Sequence, residues 1–396
     1  MRETRKLKYL CYILDEYRKP ISAEKRNQNS DMLYDYYGAS GAIDKIDGYT
    51  IDDHVMLIGE DGANLVFRNL PLMYEVNGKA WINNHAHILK PREDVDFYYL
   101  FYALENADIF PFVTGSAQPK LNQENLKLIP IPITNYETQK HIASFIKSKC
   151  KRIDSLITDI QSQIEALEEY KKSLVFRIIS RGIKKASLKS TVSDVWTAIP
   201  ETWELIDIKY VFEIVKRIAG QEGFDVLSVT QKGLKVKDIE SNNGQQAESY
   251  AGYQFVYPTD YVMNHMDLLT GWVDCSTMFG VTSPDYRVFR LRDKENNDLT
   301  YFKYVMQCCY MSRIFYSLGQ GVSNLGRWRL QTFAFNNFMI PVPPLDEQRK
   351  IADYLDTKIS EIDIIIAEKK QQIETIEEYK KSLIFEYVTG KKEVQA

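Results

Sequence analysis

Two long stretches of the chain carry apolar residues in alternating steps of four and three. The first runs from about residue 137 to about residue 179 without Pro or Gly, and its apolar positions are Ile153, Ile157, Ile160, Ile164, Leu167 and Leu174. The second has the same pattern at Ile362, Ile366, Ile373, Ile376 and Leu383, with Lys369 and Lys380 at two further seam positions. This spacing is the heptad pattern of helices that pair with other helices. About 40 residues at ~1.5 Å each would span ~60 Å, more than a globular core requires.

The two stretches are copies of one sequence unit. The string EEYKKSL occurs at residues 168–174 and again at 377–383, and the same offset of 209 aligns Gln139 with Gln348. Just upstream, the string IPIP at 129–132 corresponds to IPVP at 340–343. Because Pro blocks helix continuation and favours an extended residue before it, each copy is predicted to be a strand, a turn and a long helix.

Heptads alone leave the partner of each helix open. A segment that dimerises two chains would show the same pattern. A repeated pattern within one chain favours pairing inside the molecule, because the local concentration of the second helix is high.

The segments before the helices, residues 1–136 and 187–345, mix strand-like runs with glycine-containing turns and are predicted to be mixed α and β domains. They begin alike, with LKYL at 7–10 and IKYV at 208–211. Each also has a polar, glycine-containing loop before its Ile-Pro strand: GSAQPKLNQ at 115–123 and GQGVSNLGRWR at 319–329.

These loops combine amides, hydroxyls and cations, which is chemistry suited to DNA. Gln and Asn can bind adenine edges, Arg and Lys favour guanine or phosphate, and Gly allows close backbone approach. The candidate base-reading residues are Ser116, Gln118 and Lys120 in the first loop, Gln320, Ser323, Asn324, Arg327 and Arg329 in the second, and Asn83, Asn84 and His85 as a second tier. For each loop the alternative is an ordinary solvated surface loop, and the second tier could equally be a hydrogen-bonded strand end.

Composition fits two or more compact domains but gives no strong nucleic-acid signal. The chain has 396 residues, of which 44% are hydrophobic and 26% charged, and its net charge is −4. By segment the charge is −4 for 1–136, +5 for 137–186, −2 for 187–345 and −3 for 346–396. A protein that grips DNA alone is normally more basic, so either the chain does not bind DNA or partner subunits supply much of the grip.

Several other classes of protein find little support. The five cysteines form no CxxC pair, which argues against a zinc ribbon and a disulfide framework. The apolar run YLCYIL is too short and too closely flanked by charges for a signal peptide or a membrane span, so a cytoplasmic location is expected. No phosphate-binding loop, dinucleotide turn or adenine-methyltransferase motif is present. His85 and His87 share a strand face, but no third metal ligand is evident nearby.

The whole pattern resembles the DNA-specificity subunit of type I restriction-modification enzymes. The motifs that carry the resemblance are LIGEDGANL, WINNHAHIL, SAQPKLNQENLKLIPIPI, DYVMNHMDLLTGWVD, GVTSPDYRVFRL and IPVPPLDEQRKIADYLDTKISEID, which together span nearly the whole chain. Two departures stand out. The first spacer reads IPIPITNYETQKHI and lacks the Pro-Pro-Leu-Asp of the second, and residues 1–6 offer no counterpart to IPETW at 199–203.

The resemblance implies an α+β protein in which two target-recognition domains are separated by two long antiparallel coiled-coil helices with pseudo-two-fold symmetry. The domains would be 1–136 and 187–345, and the spacer helices 137–186 and 346–396. The expected function is recognition of a bipartite target in double-stranded DNA, without catalysis and without a cofactor in this chain. The expected partners are two methyltransferase subunits that use S-adenosylmethionine, together with restriction subunits that translocate and cleave DNA. A coiled-coil scaffold that does not bind DNA and a stand-alone enzyme are the alternatives.

Overall fold

The computed structural model describes residues 2–26, 33–115, 117–238, 247–320 and 329–394. The chain divides into two compact units: unit 1 comprises Met1–Gln161 with Lys370–Ala396, and unit 2 comprises Ser162–Lys369. Each unit therefore contains one of the two predicted globular segments and a part of both long helices.

Unit 1 is built on a six-stranded sheet in the order β2-β7-β5-β6-β3-β4, beside a two-stranded sheet, β1-β8. Its strands are β1 Thr4–Lys6, β2 Cys11–Ile13, β3 Tyr34–Gly38, β4 Gly41–Ile46, β5 Ile51–Gly59, β6 Met73–Ile82, β7 Ala86–Pro91 and β8 Pro130–Pro132. Its short helices are α1 Asn64–Phe67, α2 Phe97–Glu105 and α3 Gln123–Leu126. The apolar faces of β5 and β7 lie in the main core of the unit, where Met56, Ile58 and Leu89 pack with residues of α2.

Unit 2 has a central four-stranded sheet in the order β12-β19-β16-β17, with four two-stranded sheets around it. Its strands are β9 Leu188–Ser190, β10 Ala198–Pro200, β11 Glu204–Asp207, β12 Phe212–Val215, β13 Leu227–Thr230, β14 Gly233–Val236, β15 Gln254–Val256, β16 Tyr261–Met263, β17 Val273–Cys275, β18 Gly280–Thr282, β19 Arg287–Leu291 and β20 Met339–Val342. Its short helices are α5 Ile208–Val211, α6 Leu299–Met311, α7 Ile314–Ser317 and α8 Thr332–Asn336.

The long helices are α4, Tyr136–Arg181, and α9, Leu345–Thr389. The heptad spacing predicted both. Each helix ends at a glycine in the left-handed region, Gly182 with φ +75° and Gly390 with φ +77°, a conformation that glycine adopts without steric cost. The helices therefore stop short of residues 186 and 396, where the sequence segments were drawn.

Within each unit the two long helices run antiparallel and contact each other. In unit 1 the rings of Phe145 and Tyr387 lie 4.6 Å apart, and Lys380 Nζ lies 2.5 Å from Asp154 Oδ1. In unit 2 Lys171 Nζ lies 2.6 Å from Asp363 Oδ1, and Lys369 Nζ donates to Gln163 Oε1 at 2.6 Å. Pairing inside the molecule, the alternative favoured by the internal repeat, is therefore what the structure has.

The predicted seam residues are all buried or half-buried. Ile160, Ile164, Leu174, Ile362, Ile366 and Leu383 are buried, and Ile153, Ile157, Leu167, Ile373 and Ile376 are half-buried. The two seam lysines, Lys369 and Lys380, cross to polar groups on the opposite helix. Each lysine is half-buried, and its ammonium group is hydrogen-bonded to the opposite helix.

A buried glutamine joins each long helix to the globular segment that precedes it. Gln139 Oε1 accepts from Asp96 N at 2.9 Å in unit 1, and Gln348 Oε1 accepts from Asp298 N at 2.8 Å in unit 2. Each aspartate is the N-cap of the next short helix, α2 or α6. The two glutamines that correspond in the repeat therefore make the same helix-to-domain hydrogen bond, one in each unit.

The end of each long helix is also held by a side chain against its terminal glycine. In unit 2 the ring of Trp203 lies against Gly182, with Cζ2 3.3 Å from the point where a Cβ would stand. In unit 1 Arg2 lies against Gly390 in the same way, and its backbone N donates to Thr389 O at 3.1 Å. Strand β1 then pairs with β8 as β11 pairs with β20. Arg2 in unit 1 thus lies against the terminal glycine of a long helix as Trp203 does in unit 2.

Candidate nucleic-acid interface

Each candidate loop stands on a stem of two mutually hydrogen-bonded residues. In unit 1 Thr114 and Lys120 exchange backbone hydrogen bonds of 2.8 and 2.7 Å, and in unit 2 Gln320 and Arg329 exchange bonds of 3.1 and 3.2 Å. Gly115 has φ +84°, a left-handed conformation that favours glycine at the start of the tight first loop.

Both stems are joined to the sheet at the same place. Leu121 N donates to Glu60 O at 2.7 Å in unit 1, and Leu330 N donates to His265 O at 3.0 Å in unit 2. Glu60 follows strand β5, and His265 follows strand β16. Lys120 and Arg329, each one residue before its leucine, therefore occupy equivalent positions in the two units.

The structure places the predicted residues of unit 1 around this stem. Gln118, Lys120, Asn84 and His85 are exposed, and an isolated bridge joins Asp61 to Lys120. His85 Nδ1 lies 2.7 Å from Asp61 Oδ2. The turn after strand β6 and the first loop therefore lie side by side. Ser116 lies outside the described residues.

Asn83 differs from its neighbours because only 5% of it is exposed. Its Oδ1 accepts a hydrogen bond of 2.8 Å from His85 N. The side chain fixes the turn that carries Asn84 and His85, as in the hydrogen-bonded strand end that the sequence left open.

Beneath the first loop lies a network in which acidic and basic groups are paired. Glu60 contacts Arg18 and lies 3.1 Å from Lys120 Nζ. Asp15 Oδ2 lies 2.7 Å from His87 Nδ1, and His87 Nε2 faces Leu121 O at 2.8 Å. Sequence reasoning did not identify Arg18, Asp15 or Glu60, because they come from chain segments far from the loop.

The two carboxylates of this network are held in their charged form. Burial acts to raise the pKa of Asp15, but the hydrogen bond and charge of His87, with the Ile88 amide and Arg18, bring that pKa below its usual value. Burial likewise acts to raise the pKa of Glu60. The hydrogen bonds that Glu60 accepts from Arg18 and Lys120 outweigh this effect, so the pKa of Glu60 is lowered. The cations around the first loop are therefore largely neutralised from within the protein.

This network predicts a destabilising effect of Asp15→Asn. The substitution keeps the shape but removes the charge that His87 faces, and charge-assisted hydrogen bonds contribute about 1.5–3 kcal/mol. We expect a loss of about 2 kcal/mol in the free energy of unfolding in urea at pH 7.

The pH dependence gives the control for Asp15→Asn. A carboxyl with a lowered folded pKa contributes stability above its unfolded pKa and loses it as the pH falls through the folded value. The difference between wild type and Asp15→Asn should therefore shrink in acid. An equal difference at pH 7 and in acid would contradict the assignment.

No metal site is formed in the part of the chain that the structure describes, since no group of three His, Cys, Asp or Glu residues is placed to hold an ion. Both ring nitrogens of His87 already face partners in the protein. Over the same described ranges, no helix is long and apolar enough to span a bilayer.

In unit 2 the predicted Gln320 and Arg329 are exposed at the loop stem. Ser323, Asn324 and Arg327 lie outside the described residues. Below the stem the structure reveals two buried basic side chains, Arg287 at the start of β19 and His265 after β16. A cation at an inward position of the apolar strand 287–291 is a sequence signal that could have singled out Arg287.

Comparison with known proteins identifies the family. The family model for the type I restriction modification DNA specificity domain matches twice, over residues 2–166 and 200–375. The MjaVIII type I restriction enzyme specificity subunit of Methanocaldococcus jannaschii is 26% identical over 322 residues, covering 75% of this chain and 70% of that protein. A type I restriction enzyme specificity subunit of Haemophilus influenzae is 32% identical over 144 residues, a match that spans only 36% of either chain.

The fold is shared with a solved structure. A chain from a structure of a type I restriction-modification system superposes with a TM-score of 0.65 at 13% identity, covering 97% of this chain and 96% of that one. Two matches to the family model, which together cover most of the chain, establish the relationship that the sequence motifs suggested. The chain belongs to the family of type I restriction-modification DNA specificity subunits, which are recognition rather than catalytic components.

Proposed function

We propose that this chain is the DNA-recognition subunit of a type I restriction-modification complex and reads a bipartite target. Each unit would read one half of the target in the major groove through its loop and the neighbouring strand ends. The long helices would set the separation of the two half-sites and offer surfaces to two methyltransferase subunits. Restriction subunits would join the same complex, and S-adenosylmethionine would be bound by the methyltransferases and not by this chain.

One observation carries this proposal: the same backbone device occurs in both units. A two-residue stem is held to the carbonyl at the end of a central strand, at Glu60 in unit 1 and at His265 in unit 2. In each unit the stem presents an exposed cation, Lys120 or Arg329. A bipartite reader needs this repetition, whereas a scaffold has no need for two matched polar loops.

The weak overall charge also agrees with a subunit that works within a complex. The net charge is −4, and non-specific DNA affinity comes mainly from cations that contact phosphates. Partner subunits would supply much of that grip, and the loops of this chain would supply the base contacts.

The deciding experiment is co-expression of this chain with its methyltransferase, followed by sequencing that maps methylated adenines. We expect methylation at one split motif, with two specified halves and a fixed gap. Methylation that is absent or scattered without a motif would support the alternative of a scaffold that does not bind DNA.

Gln118 provides a residue-level test. Its amide is exposed on the first loop, and an amide that contacts an adenine edge contributes about 1–3 kcal/mol of discrimination. Gln118→Ala should therefore relax one position in one half-site and leave the other half unchanged, as read from the methylated motif. The matched control is Gln231→Ala, an exposed amide at the β13–β14 turn of unit 2. An equal weakening at all sequences would show that Gln118 does not read a base.

A further inference from the structure

A guanidinium in unit 2 is buried, and the described part of the chain offers it no carboxylate partner. Only 5% of Arg287 is exposed. Its Nη2 donates to Leu330 O at 3.1 Å and to Thr332 Oγ1 at 3.3 Å, and its guanidinium lies 4.5 Å from the centre of the Phe335 ring. Nη1 is buried and has no hydrogen-bond partner among the residues that the structure describes. No Asp or Glu among the described residues lies within ion-pair distance of it.

A second basic side chain beside Arg287 is also incompletely satisfied. His265 is 8% exposed, and its buried Nδ1 has no hydrogen-bond partner in the described part of the chain. Burial, together with the charges of Arg287 and Arg329, lowers the pKa of His265 to about 3. Its ring is therefore uncharged near neutral pH and does not add a cation of its own.

Comparison with unit 1 identifies the residue that is equivalent to Arg287. Strand register places His87 opposite Ile58, and it places Arg287 opposite Met263 in the equivalent strand pair. His87 Nε2 faces Leu121 O as Arg287 Nη2 faces Leu330 O. Unit 1 therefore holds His87 at the position that Arg287 fills in unit 2.

The acids of unit 1 have no acidic counterparts. The position of Glu60 is filled by His265, since both accept from the loop leucine. Asp15 follows strand β2, which pairs with β7. In unit 2 the equivalent strand is β12, which pairs with β19, and the residue at the position of Asp15 is Lys216. The two acidic positions beneath the first loop, Asp15 and Glu60, are thus a lysine and a histidine in unit 2.

The surrounding sequence is also cationic, including the part outside the described residues. Residues 299–345 contain no Asp or Glu and four basic residues, Lys303, Arg313, Arg327 and Arg329. The equivalent residues of unit 1, 97–136, contain three acidic and two basic residues. The stretch of sequence that leads to Arg329 therefore contains no carboxylate side chain.

We infer that Arg329, above the buried guanidinium of Arg287, forms a phosphate-binding site in unit 2 that unit 1 lacks. This inference rests on the proposed function and names the ligand as a phosphodiester group of the DNA backbone. An unpaired buried charge is costly, and an anion that docks beside it recovers part of that cost. In unit 1 the equivalent Lys120 already lies 3.1 Å from Glu60, so it has less to gain from a phosphate.

The strength of the site comes from the two guanidiniums acting together. Burial is the main cause that lowers the pKa of Arg287 to about 10, and the charge of Arg329 acts in the same direction. Arg287 remains charged near neutral pH, and the guanidinium of Arg329 repels it. A phosphate oxygen that accepts from Arg329 would relieve this repulsion, and guanidinium groups suit phosphate geometry.

The test measures affinity of the full chain for a random-sequence duplex over a series of KCl concentrations. For Arg329→Gln we expect about tenfold weaker binding and a plot of log K against log salt whose slope falls by about one, as loss of a phosphate contact predicts. Lys350→Gln, which removes one exposed charge from helix α9 of the same unit, is the charge-matched control and should leave the slope unchanged. Lys120→Gln should change the slope by less than half as much.

A second measurement separates DNA from a free anion. The melting temperature of the full chain is compared in inorganic phosphate and in KCl of equal ionic strength, for wild type, Arg329→Gln and Arg287→Met. Stabilisation by phosphate that both variants lose would support the site. If Arg287→Met does not fold, Arg329→Gln alone decides, since Arg329 is exposed.

The outcomes distinguish this site from the proposed function. Equal slopes for Arg329→Gln and Lys350→Gln would overturn the phosphate site, and so would a changed base preference at an unchanged slope. Phosphate stabilisation together with an unchanged slope would mark a site for free anions and would also overturn it. If phosphate stabilises the wild-type chain but not Arg329→Gln, while co-expression with the methyltransferase yields no methylated motif, the anion site would stand and the proposed function would fail.

Discussion

Inserting one heptad into each long helix is expected to lengthen the gap in the recognised DNA target by about three base pairs. Seven residues add ~10 Å to a helix, and a duplex rises ~3.4 Å per base pair. The insertions belong after Gln161 in α4 and after Lys369 in α9, next to the hydrogen bond from Lys369 to Gln163. At these points a whole heptad keeps both seams in register. Methylome sequencing should show the original motif lost and a longer one in its place.

Two controls make the heptad experiment decisive. A heptad inserted in α4 alone leaves the two helices unequal and should reduce methylation without creating a new motif. Replacing residues 155–161 by a sequence with the same apolar positions should leave the gap as it was. A gap that stays unchanged when both helices are lengthened would show that the helices do not set the spacing.

Replacing Trp203 by Ala should destabilise unit 2 by about 3–5 kcal/mol, as is usual for a buried large aromatic residue. Trp203 is fully buried. Its ring lies against Gly182 at the end of α4, and its Nε1 donates to Glu347 Oε2 at 2.9 Å in the first turn of α9. Truncation leaves a cavity and also leaves Glu347 without this donor. Urea unfolding at neutral pH measures the loss of free energy.

Two further variants separate the contributions of the Trp203 ring and of its N–H donor to the free energy of unfolding. Trp203→Phe retains most of the ring volume but loses the N–H donor, so it should cost about 1–3 kcal/mol. Phe333→Ala removes an aromatic ring that is 80% exposed in the same unit and should be nearly neutral. A similar loss for Trp203→Ala and Phe333→Ala would mean that the junction at Gly182 does not stabilise the unit.

The long helices and the repeat were predictable because their signals are local. Apolar spacing predicts a helix and its buried face, and each seam residue lies buried or half-buried as the spacing required. The equivalence of Gln139 and Gln348 was also visible, since a repeat within one chain shows which residues correspond. What each glutamine does, accepting from the backbone of Asp96 or Asp298, was not visible, because its partners lie 43 and 50 residues away.

The candidate loops show which features the sequence predicted and which needed the tertiary structure. Their polar residues and glycines predicted exposed loops, and Gln118, Lys120, Gln320 and Arg329 are exposed. The groups beneath them were missed, because a strand pattern states which side chains point inward but not which of them meet.

By itself the sequence determined a tandem protein with two long paired helices, two mixed α and β segments, and a polar loop before each Ile-Pro strand. Only the tertiary structure decided the electrostatics under those loops. Strand register brings Asp15 within 2.7 Å of His87 in unit 1 and places Arg287 beside His265 in unit 2. The physical reason is that helix periodicity depends on neighbours a few residues apart, whereas the charge around a buried group depends on residues that meet only when distant strands pair.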